Sequence, residues 1–537
     1  MSLSDNPACP MDYRAHNRRR ILCVFPRYVH SFGTFAHAFP LMGVRAFMPP
    51  QGLLIIAASL PSEWEVRFVD ENVRPVTDAD LQWADAVLMS SMHVQHPHIT
   101  GINRRAHAFG KITVLGGPSV SACPEWYPDV DLLHIGEIGD ATRALIERLD
   151  RSADRPATQE IYRTEERLPL TEFPLPAYHH IDLRHYFMAS VQFSSGCPYR
   201  CEFCDIPALY GRNPRLKSPQ QVTAELDAML TRGNPGAVYF VDDNFIGNRK
   251  AAMALLKELV RWQQERGYPI TFACEATLNL AQVPEALELM REAGFTTVFC
   301  GIETPEENAL RSIHKEQNLR QPILDAVATF NRYGIEVVSG IILGLDTDTP
   351  STGRRIQEFI TVSRIPLLTI NILHALPKTP LWQRLEAEGR LLFHSQQESN
   401  IQFLLPYETV VGMWLDCVTR VYTPEAIYAR FAYQIQHTYP NRKRLPATRA
   451  RVNLANIRRG LSILLRLFWH VGIRSDYRRL FWQMALPRLL RLDIERVIHV
   501  AVVSHHLILF ARECAAGQAE KCFYSPQRIG ALSQSQM

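Results

Sequence analysis

The chain opens with a repeated alternation of two hydrophobic patterns. Short continuous apolar runs, "ILCVF", "VRFVD", "AVLMS", "ITVLGG" and "DLLHIG", are separated by amphipathic stretches such as "QGLLIIAASL", "ITGINRRAHAFG" and "GDATRALIERL". Strand-length runs divided by helical patterns predict a parallel sheet with helices on its faces, here over residues 20–150. Ligands of such sheets lie beyond the carboxyl ends of the strands, where the loops "GGPS" and "GEIGD" fall.

The pattern breaks over residues 151–189. "RLPLTEFPLPAYHHIDL" carries Pro169, Pro174 and Pro176, too many for a regular element, which predicts an extended inter-domain linker. The alternation resumes over 190–390 with "ASVQFSSG", "AVYFVDDN", "ITFACEAT", "TVFCGIET", "EVVSGIILG" and "LLTINIL". Six strand–helix units predict a partial barrel whose chemistry sits at the strand C-termini. Residues 391–537 read as mostly helical. The fold class is therefore α/β, with an N-terminal Rossmann-like domain, a central partial (β/α)6 barrel and an α-helical C-terminal domain.

Composition sets bounds on this picture. The 537 residues are 47% hydrophobic and 21% charged, ordinary for a multi-domain globular chain. Eleven cysteines form no dense, even framework, which suits a reducing cytoplasm with some thiols used as ligands. Arg18, Arg19 and Arg20 precede only a five-residue apolar run, short of the roughly 7–15 of an export signal. "VIHVAVVSHHLILFA" offers 15 residues between arginines, too short and polar for a bilayer span of roughly 18 or more. The net charge of +4 conceals an asymmetry: residues 441–512 hold fifteen Arg or Lys against three Asp or Glu, a local +12, leaving −8 elsewhere.

The densest chemistry is in "SSGCPYRCEFCD", which puts Cys197, Cys201 and Cys204 in one loop after the first barrel strand. Soft thiolates at this spacing suit zinc or an iron–sulfur cluster. Structural zinc takes four ligands, and the next cysteine is distant, at Cys274. Three ligands leave the fourth iron of a 4Fe–4S cluster open. Carboxylates follow the other strands: Asp242 and Asp243, then Glu275, then Glu303. Read alone, these also suit a helix cap, a Mg2+ pair or surface ion pairs.

The cysteine loop, with aromatic Phe203 before its last thiol, resembles the signature of the radical S-adenosylmethionine enzymes. The resemblance implies a 4Fe–4S cluster on Cys197, Cys201 and Cys204 whose open iron binds S-adenosylmethionine. It implies cofactor contacts from Phe203, Asp242, Asp243, Glu275 and Glu303, and an external low-potential electron donor. "MPPQGLLIIAASL", "VLGGPSVSACPE" and "HIGEIGDAT" resemble the cobalamin-binding domain of one branch of that superfamily. Cobalamin contacts are then expected from Ser90, Ser91, Gly116, Gly117, Gly136 and Glu137. The Asp-x-His-x-x-Gly motif of many cobalamin proteins is incomplete. "RYVHSFG" supplies His30 as a candidate cobalt ligand and Gly33, but Tyr28 replaces the aspartate that would orient the imidazole.

A radical generator beside cobalamin implies methylation of an unactivated carbon. One S-adenosylmethionine supplies the radical that removes hydrogen, and a second supplies the methyl group. In the C-terminal segment, Arg451, Arg458 and Arg466 recur about two helical turns apart beside Leu461, Leu464, Leu465, Phe468 and Trp469. A basic amphipathic helix with aromatics is a membrane-surface pattern, and a helical cap on the barrel with a solvated arginine face is the alternative. Together with "FPRYVHSFGTFAHAFPLMG", the arrangement resembles the hopanoid methylases, most closely the C-2 branch. That implies a polycyclic lipid substrate, no nucleic-acid partner, and a cytoplasmic protein touching the membrane peripherally through 441–512. A tetrapyrrole methylase or ring-modifying oxidoreductase, or a non-catalytic Fe–S or zinc scaffold, are the rivals.

Overall fold

A computed structural model describes residues 13–392, 398–446, 448 and 454–519. Its first layer is a six-stranded sheet of β1 (Arg20–Phe25), β2 (Glu65–Asp70), β3 (Ala86–Ser90), β4 (Ile112–Gly116), β5 (Leu132–Ile135) and β6 (Glu160–Arg163). The order is β2-β1-β3-β4-β5-β6 and every pairing is parallel. A sheet covered on both faces needs apolar side chains in both directions, and β1 supplies them. Ile21 and Cys23 pack with Leu145 and Leu149 on one face, while Leu22 and Val24 pack with Ile99 and Ile102 on the other.

The sixth strand corrects the predicted boundary at residue 150. β6 lies inside the stretch assigned to the linker and pairs with β5 from Leu132↔Glu160 to Ile135↔Arg163. Its side chains alternate between half-buried and exposed, as at a sheet edge, so it offers no continuous apolar run. The proline-rich part that follows holds only short 3-10 turns, Leu170–Glu172, Tyr178–His180 and Leu183–His185.

The second sheet comprises β7 (Ala189–Val191), β10 (Ala237–Phe240), β11 (Thr271–Glu275), β12 (Phe295–Glu303), β13 (Glu336–Leu343) and β14 (Leu367–Ile372). They lie in the order β14-β13-β12-β11-β10-β7, all parallel, as the six strand–helix units predict. Between β7 and β10 a small antiparallel ribbon pairs β8 (Ser194–Ser195) with β9 (Arg215–Leu216). The ribbon frames the cysteine loop at the C-terminal end of β7.

The C-terminal region is helical: Tyr407–Val421, Pro424–His437, Leu454–Leu467 with a π-helical turn Phe468–Ile473, Arg478–Leu489 and Ile494–Ala515. The last helix is a second correction. It runs 22 residues, long and apolar enough by composition to cross a membrane, where the sequence suggested 15. Yet 61% of its most apolar window is buried within the protein, and Val497, Val500, Ala501, Leu507 and Ile508 join the main core. Arg451 lies outside the described residues. Arg466 turns inward instead of joining a solvated arginine face, and its Nη1 donates to the Leu41 carbonyl at 3.3 Å.

The aromatic segment after β1 is clamped by these helices. Phe32 stacks on Tyr422 at 4.6 Å and meets Phe510 edge-on at 4.7 Å, while Phe35 stacks on His506.

Candidate active site

The cysteine loop is held from three sides. The Cys197 amide donates to the Gly211 carbonyl (3.2 Å), the Glu202 amide to Ile313 (3.0 Å) and the Cys204 amide to Cys201 (3.1 Å). Buried Glu202 accepts from Arg384 Nε at 2.5 Å, and Arg384 also donates to Asp346 at 2.7 Å. Cys201 Sγ accepts from Gln317 Nε2 at 3.3 Å. Burial raises the thiols of Cys197 and Cys204, and each also feels the charge of Cys201, so the three side chains are neighbours that need a cation to be thiolates. Among the described residues no three His, Cys, Asp or Glu groups converge on a single ion.

Glu303 ends β12 in the left-handed region, at φ 65°, where the pairing with β13 shifts register. It is buried and ion-paired with Lys315, itself buried. The Lys315 Nζ lies 5.5 Å from the centre of the half-buried Phe203 ring. Burial alone would lower the Lys315 pKa; Glu303, and beyond it Cys201 and Cys204, reverse this and raise it. Phe203 and Glu303, predicted to contact S-adenosylmethionine, are therefore beside the cluster loop, but the Glu303 carboxylate is already occupied.

The two aspartates after β10 divide their work. Asp242 points inward and accepts from the amides of Phe193 and Ser194. Asp243 accepts from the Gly196 amide at 2.7 Å, steadying the residue ahead of Cys197. Glu275 accepts from Tyr239 Oη at 3.3 Å. Burial pushes Asp242 and Glu275 up to about 7 and Asp243 up to about 6. Asp243 also raises both Asp242 and Glu275, and buried carboxyls so placed leave a deficit of positive charge suited to an ammonium or sulfonium.

A cavity of about 690 Å³ opens between the first sheet and the barrel. Ser90, Ser91, Gly116, Gly117, Gly136 and Glu137 all line it, with Asp243 and Ser195 from the barrel side. Gly117 has φ 98°, and a Cβ there would come within 2.9 Å of Ser90 Oγ and of the Ser91 N and O atoms. Gly117 thus lets the turn after β4 pack closely on Ser90 and Ser91, and the small residues that line the cavity at the C-terminal edge of β3 and β4 fit cobalamin.

Two of the residues expected to contact cobalamin differ from the rest in their surroundings. His30 is exposed and is not among the lining residues, whereas Tyr28, Val29 and Ser31 are. Glu137 reaches the cavity, but its carboxylate accepts from Arg215 (2.5 Å) and Ser195 (3.1 Å) and pairs with Arg167 (3.0 Å). It fastens the first domain to the ribbon beside the cysteine loop.

Sequence reasoning did not find Lys315, Gln317, Arg215 or His134. The first two sit in "HKEQN", which reads as a surface turn. His134 lines the cavity, bonds Thr142 Oγ1 at 2.8 Å and is lowered to about 4 by burial, so it is neutral there.

Comparison with known proteins agrees with this site. The Radical SAM superfamily matches residues 191–360, the B12 binding domain 42–146, and the Domain of unknown function (DUF4070) 379–520. The Hopanoid C-2 methylase of Rhodopseudomonas palustris (strain TIE-1) is 58% identical over 508 residues, covering 94% of this chain and 96% of that protein. The Bacteriochlorophyllide d C-12(1)-methyltransferase of Chlorobaculum tepidum is 26% identical, over 64% of this chain and 74% of that one. Among solved structures, the cobalamin-dependent radical enzyme OxsB with aqua-cobalamin and S-adenosylmethionine bound shares the fold at TM-score 0.58 and 16% identity, over 97% of this chain and 83% of that one. TsrM from Kitasatospora setae, with cobalamin and a [4Fe-4S] cluster bound, aligns at TM-score 0.55 and 16% identity over 69% and 78% of the two chains. With a 58% identical relative spanning nearly its whole length and with both cofactor domains in place, the chain belongs to the hopanoid C-2 methylase family of cobalamin-dependent radical S-adenosylmethionine enzymes.

Proposed function

We propose that this protein adds a methyl group to C-2 of the A ring of a hopanoid or its polycyclic precursor. The observation that carries this reading is the 58% identity to a hopanoid C-2 methylase over 94% of the chain, which includes the helical C-terminal region as well as the two cofactor domains. When bound, the cluster with S-adenosylmethionine supplies a carbon-centred radical that removes a hydrogen atom, and cobalamin carries the methyl group that replaces it.

The chain's own residues supply placement and exclusion. Cys197, Cys201 and Cys204 would hold the cluster, while Glu202, fixed by Arg384, and Asp243, fixed on Gly196, hold the loop still. Asp242, Asp243 and Glu275 present negative potential to the cationic cofactor. Ser90, Gly116, Gly117 and Gly136 would form the floor beneath cobalamin. Phe25, Phe47, Met48, Met92 and Phe173 line the same cavity, an apolar wall suited to a fused-ring hydrocarbon and to keeping water from a radical. No side chain is required as a base, because hydrogen leaves as an atom. An external low-potential donor would reduce the cluster.

The test is expression in a hopanoid-making bacterium whose hopanoids carry no A-ring methyl. Hopanoids heavier by one CH2, with the added mass in ring A, are expected from the wild-type gene and none from Cys201→Ala. Unchanged hopanoids alongside a newly methylated tetrapyrrole would overturn the lipid assignment.

A further inference from the structure

We infer that the helix Leu454–Leu467 and its π-helical extension Phe468–Ile473 are the face by which the protein docks on an anionic phospholipid bilayer. Leu454, Ile457, Leu461, Leu465, Trp469 and Ile473 are 62%, 49%, 55%, 69%, 51% and 57% exposed. Their spacing of three then four residues keeps Leu454 to Leu465 on one side of the helix. The opposite side is already satisfied, since Ile463, Leu464, Leu467 and Val471 are buried in the main core. The helix is thus apolar on both sides, and among the described residues only one side is packed into the core. Leu486, Leu490 and Leu492, on the next helix and the turn after it, are 54%, 80% and 81% exposed.

Charge decides between a bilayer and a second protein copy. Exposed Arg458 sits within the apolar stripe, and the Arg474 guanidinium lies 5.3 Å over the Trp469 ring. Arg478, Arg479 and Arg491 are exposed on the segment that follows. Of the three acids in this region, Asp476 is paired with Arg512 at 2.7 Å and Asp493 with Arg496 at 3.0 Å. A two-fold contact between copies would set arginines against arginines. An anionic lipid surface instead accepts leucines and Trp469 at the acyl boundary and arginines among the headgroups.

The helix that carries this face also touches a segment that supplies part of the active-site wall. Arg466, on the inner side of the helix, holds the Leu41 carbonyl, and that segment leads back to Tyr28, Val29, Ser31 and Thr34 and forward to Phe47 and Met48, all of which line the cavity. A substrate dissolved in the membrane would therefore meet the cavity beside the docking helix. This route rests on the lipid-methylase reading, whereas the docking itself does not.

The experiment is co-sedimentation of the full-length protein with vesicles of phosphatidylglycerol and phosphatidylcholine, comparing wild type with a Leu461→Glu/Leu465→Glu variant. Both side chains are exposed, and matching circular dichroism and melting curves would confirm that the variant is folded. Wild type should bind the anionic vesicles, less well as salt rises, and the variant should bind roughly tenfold or more weakly. Absence of wild-type binding, undiminished binding by the variant, or a dimer in sedimentation velocity that the same variant dissolves, would each overturn the inference. Methylation failing on every hopanoid while vesicle binding persists would reject the enzymatic reading and leave the docking face standing.

Discussion

Lys315→Met is the sharpest test of the site's architecture. The substitution keeps much of the side chain's length but removes the ammonium facing Glu303, leaving a carboxylate that is 7% exposed without its partner. Breaking one side of a buried pair costs roughly 3–5 kcal/mol, because the remaining charge stays desolvated. The backbone at Glu303, at φ 65°, adds about 1–2 kcal/mol of conformational cost that the pair now helps to hold in place. For a barrel of this size, about 1 kcal/mol lowers Tm by roughly 2–4 °C, so the barrel transition should fall by roughly 6–12 °C or more. Replacing both partners, Lys315→Met with Glu303→Gln, removes the orphaned charge and should recover over half of that loss. The assay is calorimetry of the anaerobic protein with a full double-mutant cycle, plus iron analysis after reconstitution, since Lys315 also bears on Cys201 and Cys204. A single variant melting within 1 °C of wild type, or a double variant no better than the worse single, would refute the reasoning.

Other outcomes follow from the same geometry. Gly117→Ala should lower cobalamin affinity at least tenfold by equilibrium dialysis, since its Cβ would lie 2.9 Å from Ser90 Oγ and the Ser91 backbone, and the left-handed φ adds about 1–2 kcal/mol. Burial raises Glu275 to about 7 and Asp243 to about 6. Carboxyls raised on folding stabilise the cofactor-free protein at low pH, and that contribution is lost as pH climbs from the unfolded value near 4 through 6–7. A cationic ligand favours the ionised forms, so S-adenosylmethionine affinity should rise over pH 5.5–7.5, and Glu275→Gln should flatten that rise in titration calorimetry. Glu137→Ala removes the acceptor shared by Arg215, Arg167 and Ser195, and limited proteolysis in the 164–188 strap should accelerate severalfold while both sheets stay folded by circular dichroism.

Much of this protein was determined by local spacing. An apolar run of strand length followed by a helical period requires a covered parallel strand wherever it occurs, so eleven of the twelve strands in the two large sheets fall within or across the runs "ILCVF", "VRFVD", "AVLMS", "ITVLGG" and those that follow; even short β5 and β7 sit in "DLLHIG" and "ASVQFSSG". β6 escaped because an edge strand buries one face and has no such run. The cluster loop was legible because its three ligands are seven residues apart from first to last and need no distant part of the chain. Tertiary structure alone decided what those local pieces touch. Glu137 meets Arg215 across 78 residues, and Glu202 meets Arg384 across 182. A carboxylate's neighbours in sequence do not reveal whether it will hold a cofactor, cap a loop or join two domains. The same limit applies to His30, which is exposed and outside the cavity lining, and to the long last helix, 61% of whose most apolar window is buried within the protein. Packing, which balances each buried charge and each apolar face against whatever the fold brings beside it, made those assignments.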